Sequence, residues 1–509
     1  MELFQTALTS LHEVVAWPAL GYLGLGMLIG LVVGILPGLG ATVTMAVMLP
    51  FTFGMTPTQA FVFLLGMYSV TTVAGDITSI LFGVPGEPTS TAVVIDGHPM
   101  AKDGQGGRAL GAAFASSLVG ALIGAVVLFA MLPVVLPVTR SFGTPEFFML
   151  AVLGLTFVGG VSGNAPVKGL AVAAFGILLA TVGQDPHLGE ERYTFGTTTL
   201  LDGLSIVPVT VGLYALPEIA ELAVTKGSIA RSAVARIGSL LSGLRDTLHH
   251  WALVLRTSIL GTIVGAVPGL GGVVAQWIAY GHSVQSAKDK SRFGHGDVRG
   301  VLGPCAASNS KEGGNLLTVT AFGIPSTATM SILLGAFLIH GLVPGPAMLT
   351  THLNVTLSMV WVIIIAHVVA VVVCALFIKQ LVRITQVRGT LLVAPLILLV
   401  FIGAYTESNH FSDLIVTVVF GVVGIIMVKL DWPRPPLILG LILGPLMERN
   451  LSLGLQAYGL EMFQRPIVVA LMIAALSAVL FPVLKRRLAR RGGQVAAETL
   501  EKVRERAPE

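Results

Sequence analysis

Long apolar stretches alternate with short polar ones along the chain, and several of the apolar stretches are too long for one membrane span. The first uncharged run covers residues 19–53. A straight helix needs only about 20 residues to cross the hydrocarbon of a bilayer. The run is therefore predicted to break in its middle, at Gly30-Leu-Val-Val-Gly34-Ile-Leu-Pro37-Gly38-Leu39-Gly40-Ala-Thr42. Pro37 removes a backbone donor, and Gly38 and Gly40 permit backbone conformations that other residues avoid. Irregular backbone at membrane depth is tolerated only where protein buries it or a watery cavity meets it. Residues 19–53 thus read as two half-helices meeting at a Pro-Gly tip. The device returns at Gly261-Thr-Ile-Val-Gly265-Ala-Val-Pro268-Gly269-Leu270-Gly271-Gly272.

Other landmarks repeat with it. Phe82-Gly83-Val84-Pro85-Gly86-Glu87-Pro88-Thr89 is echoed by Phe322-Gly323-Ile324-Pro325, and Phe175-Gly176 by Phe420-Gly421. Gly30 maps to Gly261, Gly83 to Gly323 and Gly176 to Gly421, offsets of 231, 240 and 245 that drift as loop insertions would make them. A further interruption is expected at Ala74-Gly75-Asp76, so that 59–95 and 301–340 each break twice. Uninterrupted spans fit 109–137, 146–163, 167–183 and 200–223, then 347–378, 390–404, 413–429 and 435–447. The chain divides into an N-terminal segment 1–18, a first repeat 19–223, a basic linker 224–250, a second repeat 251–462, an extra span 463–484 and a basic tail 485–509. The predicted fold is an all-α polytopic membrane protein with about 11–14 membrane segments, built from Pro-Gly-interrupted helices or re-entrant hairpins. Kinked helices packed through small residues are the plainer reading of the same glycines.

Composition agrees. The 509 residues are 54% hydrophobic and 11% charged, which no soluble domain matches. A net charge of +4 gives no sign of nucleic-acid binding; the basic residues sit in short loops and the tail. They act there as a topology signal, because basic short loops stay cytoplasmic. Loop 284–299 is basic whereas its counterpart 52–58 is uncharged. Loop 96–108 carries Lys102 and Arg108 whereas 340–346 has no charge, and Lys429 and Arg434 oppose the acidic 184–192. Equivalent loops of opposite character are what inverted-topology repeats require. The N-terminus is then expected outside, and the linker and C-terminus inside. The first residues lack a basic n-region, so no cleavable signal peptide is expected. The cysteines, Cys305 and Cys374, form no metal or disulfide spacing.

No protease, hydrolase or P-loop motif is present, so neither enzymatic chemistry nor ATP hydrolysis is indicated. The candidate site is built from the interruptions. Each break frees helix N-termini that suit carboxylates, and carbonyl ends that suit a cation, sodium before protons. The expected binding residues are Pro37, Gly38, Gly40, Thr42 and Thr44 at the first tip, and Pro268, Gly269 and Gly271 at the second. Pro85 and Gly86, then Pro325, Ser326 and Thr327, are expected at the matching breaks. Asp76, Ser308, Asn309 and Asn315 are polar residues inside spans, where polarity marks function by default. Lys311 and Glu312 adjoin that cluster. Capping of half-helices by the hydroxyls, and a polar network stitching the halves together, are the alternative roles. A sodium site near the Pro-Gly tips is expected, with its ligands open. A membrane-embedded enzyme and a channel are the competing function classes; sparse intramembrane charge speaks against the first, and dependence on a binding protein would exclude the second.

These residues carry a resemblance. Gly34-Ile-Leu-Pro-Gly-Leu-Gly40, Leu49-Pro-Phe-Thr-Phe-Gly-Met-Thr-Pro57, Val84-Pro-Gly-Glu-Pro88, Asp96-Gly-His-Pro-Met-Ala-Lys102, Gly107-Arg-Ala-Leu-Gly111, Val267-Pro-Gly-Leu-Gly271 and Phe322-Gly-Ile-Pro325 together resemble the large membrane subunit of tripartite tricarboxylate transporters, the TctA family. The resemblance covers roughly residues 20–460. It implies a secondary transporter of the bacterial inner membrane that takes up citrate or other carboxylates by symport. It also implies two partners, a small four-span membrane subunit and a periplasmic solute-binding protein. The chain departs from the family pattern at three places. Cys305 stands where an acid is common, Ser326 where glycine is common, and Asp76 where the family more often has Gly-Gly-Ser.

Overall fold

The apolar stretches fold into helices almost throughout the computed structural model, which describes residues 2–36, 39–161, 166–185, 189–224, 238–384 and 390–478. An amphipathic helix, α1 (Glu2–Val15), is bent by 68° from α2 (Ala19–Ile35). Across the first tip lies α3 (Gly40–Met48), followed by α4 (Pro57–Phe82). The first half continues through α5 (Val94–Met100), α6 (Gly106–Arg140), α7 (Thr144–Val161), α8 (Pro166–Ala180) and α9 (Ile206–Val224). A two-stranded hairpin, β1 (Gly183–Gln184) and β2 (Glu191–Arg192), sits between α8 and α9. The second half runs through α10 (Leu241–His249), α11 (Trp251–Ala266), α12 (Gly271–Ser286), α13 (Arg299–Phe322) and α14 (Ala328–Ile339). Then follow α15 (Leu353–Ile384), α16 (Thr390–Thr406), α17 (Phe411–Lys429) and α18 (Pro435–Tyr458). A last described helix, α19, covers Pro466–Ala478.

Two helices form the centre. Along α4 every residue from Ala60 to Ile80 is buried, and along α13 nearly every residue from Gly300 to Ala321. Glycine stripes bring the neighbouring backbones onto them. A Cβ at Gly34 would lie 2.6 Å from the Thr71 carbonyl oxygen, and one at Gly261 2.5 Å from that of Ala307. Thus α2 packs on α4 as α11 packs on α13, backbone to backbone. Small residues make this approach possible where lipid gives no hydrophobic drive between helices. Outside this centre α6 lies against α13 and α15 against α4, while α9 pairs with α17 and α8 with α18.

Both Pro-Gly devices separate two helices, as expected, although Pro37 and Gly38 lie outside the described residues. The further interruption expected at Ala74-Gly75-Asp76 is absent, because α4 continues through it. Gly75 serves a close contact instead: a Cβ there would meet the Glu87 backbone nitrogen at 3.1 Å. In the same way α13 is unbroken through Pro304 and Gly313-Gly314, so each repeat breaks once there, not twice. Residues 96–108, read as a loop, are largely helical, with α5 passing through one wide turn into α6. The linker 224–250 contains α10, tied to α6 by Arg108 and Asp246 at 2.6 Å. Residues 225–237 of that linker, the end of the extra span and the basic tail 485–509 lie outside the described residues.

Among the described residues six helices are long and apolar enough to cross a membrane, or seven if α1 and α2 count as one bent span. Others, including α11, α14 and α16, are apolar but only 10–17 residues long. Long and short apolar helices together fit an all-α membrane protein.

Candidate functional site

Three helices begin at one place. Helix α3 starts at Gly40 (φ +49°), α12 at Gly271 (φ +69°) just beyond Gly269 (φ +78°), and α14 at Ala328. The positive φ values explain the glycines, since side chains with a Cβ resist that region. A helix N-terminus carries unpaired N–H groups and about half a positive charge. Between the three lies a cavity of about 330 Å³ lined by Thr42, Tyr68, Glu87, Thr89, Gly269, Gly271, Lys311, Ser326, Thr327 and Thr329, among others. An adjoining cavity of about 480 Å³ shares Thr42, Glu87 and Pro435 and reaches Tyr214, Glu218 and Arg434.

Lys311 is the cation of the first cavity. It projects from the middle of α13 and is only 1% exposed. Its ammonium donates to the Ser308 carbonyl oxygen at 2.6 Å and the Tyr68 hydroxyl at 3.3 Å. Those bonds use two of its three donors. Its stem crosses Gly272, where a Cβ would overlap Lys311 Cε and lie 2.5 Å from Thr89 Cγ2. The glycine after the second tip thus makes room for the lysine.

The three N-termini differ in what they offer. That of α3 is filled from within the protein: the Ala41 N–H donates to Glu87 Oε2 at 2.8 Å. At α14 the Thr327 hydroxyl accepts the Met330 N–H at 3.1 Å. Helix α12 has no side-chain cap on its first turn. The halves are tied across the cavity by Thr42 and Thr329, whose hydroxyls lie 2.7 Å apart. Ser308 adds a bond from its hydroxyl to the Thr89 carbonyl at 3.2 Å. Asn315 accepts from Ser326 at 2.5 Å.

The expected residues therefore sort by position. Gly40, Thr42, Gly269, Gly271, Ser326 and Thr327 line the cavities. Pro268 turns the tip beside Gly269, and Pro325 precedes Ser326 in the matching break. Pro85 and Gly86 border the second cavity, and a Cβ at Gly86 would meet the Gly34 carbonyl at 2.8 Å. Thr44 is not brought to this site, since its hydroxyl bonds the Gly40 carbonyl at 2.7 Å within its own helix and it lines an apolar groove.

Asp76 and Asn309 lie behind the cavity wall. Asp76 accepts from the Cys305 thiol at 3.4 Å, so two of the three departures from the family pattern touch each other. Asn309 donates to the Cys305 carbonyl at 2.8 Å and turns its oxygen toward His367. Sequence reasoning missed Tyr68 and His367. His367 was open to detection as an ionisable residue in the middle of the apolar run 347–378. Among the described residues no group of three or more His, Cys, Asp or Glu side chains is arranged to hold a metal ion.

The profile of the tripartite tricarboxylate transporter TctA family matches residues 20–439. An Agrobacterium vitis protein described as an uncharacterized 52.8 kDa protein in the TAR-I ttuC' 3' region is 30% identical over 484 residues, covering 94% of this chain and 95% of its own length. A second protein of that organism, described as an uncharacterized protein in the TAR-II ttuC' 3' region, is 28% identical over 191 residues, covering 38% of this chain and 79% of its own length. No solved structure matches.

Proposed function

Because the chain belongs to the tripartite tricarboxylate transporter TctA family, we propose that it is the large transport subunit of a cation-coupled carboxylate uptake system. The family makes it a multi-pass membrane component that works with other subunits and a periplasmic binding protein. In our reading it takes a carboxylate from that protein and works beside a small four-span membrane subunit in the bacterial inner membrane. It acts as a transporter and not as an enzyme.

The observation that carries this reading is Lys311 in the cavity between the two broken hairpins. A carboxylate there would accept a charge-assisted hydrogen bond from Lys311. It would also meet the uncapped N–H groups of α12 and the hydroxyls of Thr42, Ser326 and Thr327. A neutral solute would make only the weaker, uncharged hydrogen bonds there, and a cation would be repelled by Lys311.

Cation coupling is supported by the charge around the site. Asp76, Glu87 and Glu312 are all buried close to Lys311, so the acids exceed the lysine. Buried charge needs a partner, and a sodium ion near the tips would supply one, with carbonyl and hydroxyl oxygens as ligands. The inverted-repeat reading is supported by reciprocal packing: α9 on α17 answers α18 on α8, and α4 on α15 answers α13 on α6. The topology, with N-terminus outside and C-terminus cytoplasmic, is supported by loop contacts. Thr52 meets His340 from the two loops assigned outside. Asp96 accepts the backbone N–H groups of Gly294 and Gly296 from two loops assigned inside. On that topology Arg434, which lines the second cavity, lies toward the cytoplasmic side. Alternating access by movement of the tip-bearing bundle is argued by analogy with other paired hairpins.

The test is uptake of labelled carboxylates into proteoliposomes holding this chain, its small membrane partner and the loaded binding protein. Uptake that needs the binding protein and an inward sodium gradient is the expected result. A folded complex that moves no carboxylate under any cation gradient would refute the reading.

A further inference from the structure

A further cavity, of about 380 Å³, lies at the second break and shares no lining residue with the two that hold Lys311 and Arg434. It is lined by Phe322 and Gly323, where α13 ends in a left-handed turn (φ +66° at Gly323). Just beyond them Ser326 begins the stretch that lines the cavity of Lys311. Residues 323–326 therefore run from one cavity to the other. The stretch is braced on both sides. Ile324 is buried among Leu150 and Leu153 of α7, and its N–H donates to the Thr318 carbonyl at 3.3 Å. The Gly345 N–H donates to the Thr320 carbonyl at 2.9 Å, and a Cβ at Gly323 would stand 3.3 Å from Pro344 Cβ. Pro344 belongs to a loop assigned outside, so on that topology this cavity lies toward the outer side.

Its chemistry differs from that of the central cavity. Around Lys311 the walls carry Thr42, Ser326, Thr327 and Thr329. Here Phe147, Phe322, Leu443 and Leu446 surround a space with one cation, Arg449 of α18. Three other arginines at α18 each hold a carboxylate: Arg434 holds Glu218 at 3.1 Å, Arg192 holds Glu448 at 2.6 Å and Arg465 holds Glu146 at 2.6 Å. Arg449 bonds no acid among the described residues, and its chain neighbour Glu448 is the one taken by Arg192. A free guanidinium is a planar fork of donors that matches a carboxylate or a phosphate. Aromatic and aliphatic walls favour an apolar body and penalise a solute that is polar throughout. The volume falls within the range of small-molecule sites, about 300–1,000 Å³.

We propose that this cavity is a second anion-binding site, distinct from that of Lys311, for an amphipathic acid. The acid group sits on Arg449 and the apolar body lies against Phe147 and Phe322. A soluble aromatic or fatty acid and a bilayer phospholipid share that chemistry. The occupant also acts on transport, a consequence that rests on the carboxylate-uptake reading. It packs on Phe322 and Gly323, and the same backbone carries Ser326 and Thr327 to the cavity of the transported carboxylate. A ligand shifts an equilibrium by as much as its affinity differs between the two states. An acid wedged here holds the break in its present arrangement, so it slows turnover without taking the carboxylate's place at Lys311.

The first test needs no transport. A dansyl-labelled fatty acid is titrated onto the full chain in nanodiscs of neutral phosphatidylcholine, with empty nanodiscs as the blank. Saturable binding is expected, weakened roughly tenfold or more in Arg449→Gln, blocked in Leu446→Trp and kept in Lys311→Met. Arg449→Lys should recover part of the affinity, which separates a lost charge from a lost fold. No saturable binding, equal affinity in wild type and Arg449→Gln, or loss of binding in Lys311→Met would overturn the site. Displacement by naphthoate supports the site and points to an acid from solution; displacement by added phosphatidylglycerol supports it and points to a lipid. Resistance to both overturns the assigned chemistry. The second test is uptake into the proteoliposomes at rising concentrations of the labelled acid. The maximal rate should fall at constant KM, and the fall should vanish in Arg449→Gln. A rise in KM alone would put the acid in the carboxylate's own place and overturn its part in transport. If the acid binds with these dependences but no carboxylate moves even without it, the uptake reading fails and the anion site stands.

Discussion

At the scale of single residues, Lys311 has the most to lose. It is a buried cation placed so that one donor remains for a ligand, and hydrogen bonds to charged groups contribute about 1.5–3 kcal/mol each. Lys311→Met keeps the stem over Gly272 and removes the charge. Its expected effect is a rise in apparent KM of roughly tenfold to a hundredfold, read from initial uptake rates. Unchanged kinetics would remove Lys311 from the site. Asp76 and Cys305 supply a second residue-scale prediction. They touch at 3.4 Å, and the family pattern commonly carries an acid on the Cys305 side of this contact. On the pattern that the resemblance implies, an acid at 305 would occupy nearly the place that the Asp76 carboxylate holds here. Asp76→Ser should therefore slow uptake, and adding Cys305→Asp should restore much of it. A double variant slower than the single one would show that the side of the contact matters and not only the charge.

At the scale of elements, glycines decide which helices form the centre. Gly26, Gly30 and Gly34 place α2 on the backbone of α4, and Gly261 and Gly265 place α11 on α13. A Pro-Gly break between helices and small-residue packing both occur at these glycines. The packing is what carries each tip to its position. Gly265→Leu has no room against the Lys311 backbone. Overpacking of this kind costs about 1–3 kcal/mol, which should appear as a lower midpoint of thermal unfolding in detergent. Because the same contact sets Lys311, uptake should fall more than the surviving folded fraction does. A variant with wild-type stability would mean that α11 is free to move away from α13.

For the whole molecule, the topology makes the sharpest claim. Phe195 is 85% exposed near the β hairpin, and Lys102 is exposed in the wide turn before α6. The native cysteines, Cys305 and Cys374, are both buried, so single introduced cysteines can be read against a quiet background. In intact cells a membrane-impermeant maleimide should label Phe195→Cys, and Lys102→Cys only after permeabilisation. The reverse pattern would invert the assignment and place Arg434 on the outer side. Labelling of both without permeabilisation would break the inverted-repeat reading altogether.

The sequence by itself determined the class of molecule, the positions of most helices and the two Pro-Gly breaks. These depend on local chemistry: apolar runs of bilayer length, the missing N–H of proline and the tolerance of glycine for positive φ. It misjudged Gly75 for a related reason. A glycine that breaks a helix and one that admits a neighbour's backbone look alike until the neighbour is known. Only the tertiary structure decided that Glu87 fills the α3 N-terminus, that Thr42 meets Thr329, and that Asn309 turns to His367. These partners stand 46, 287 and 58 residues apart. Pairings of that kind are settled by how the helices pack across the two halves, which no periodicity within one segment records.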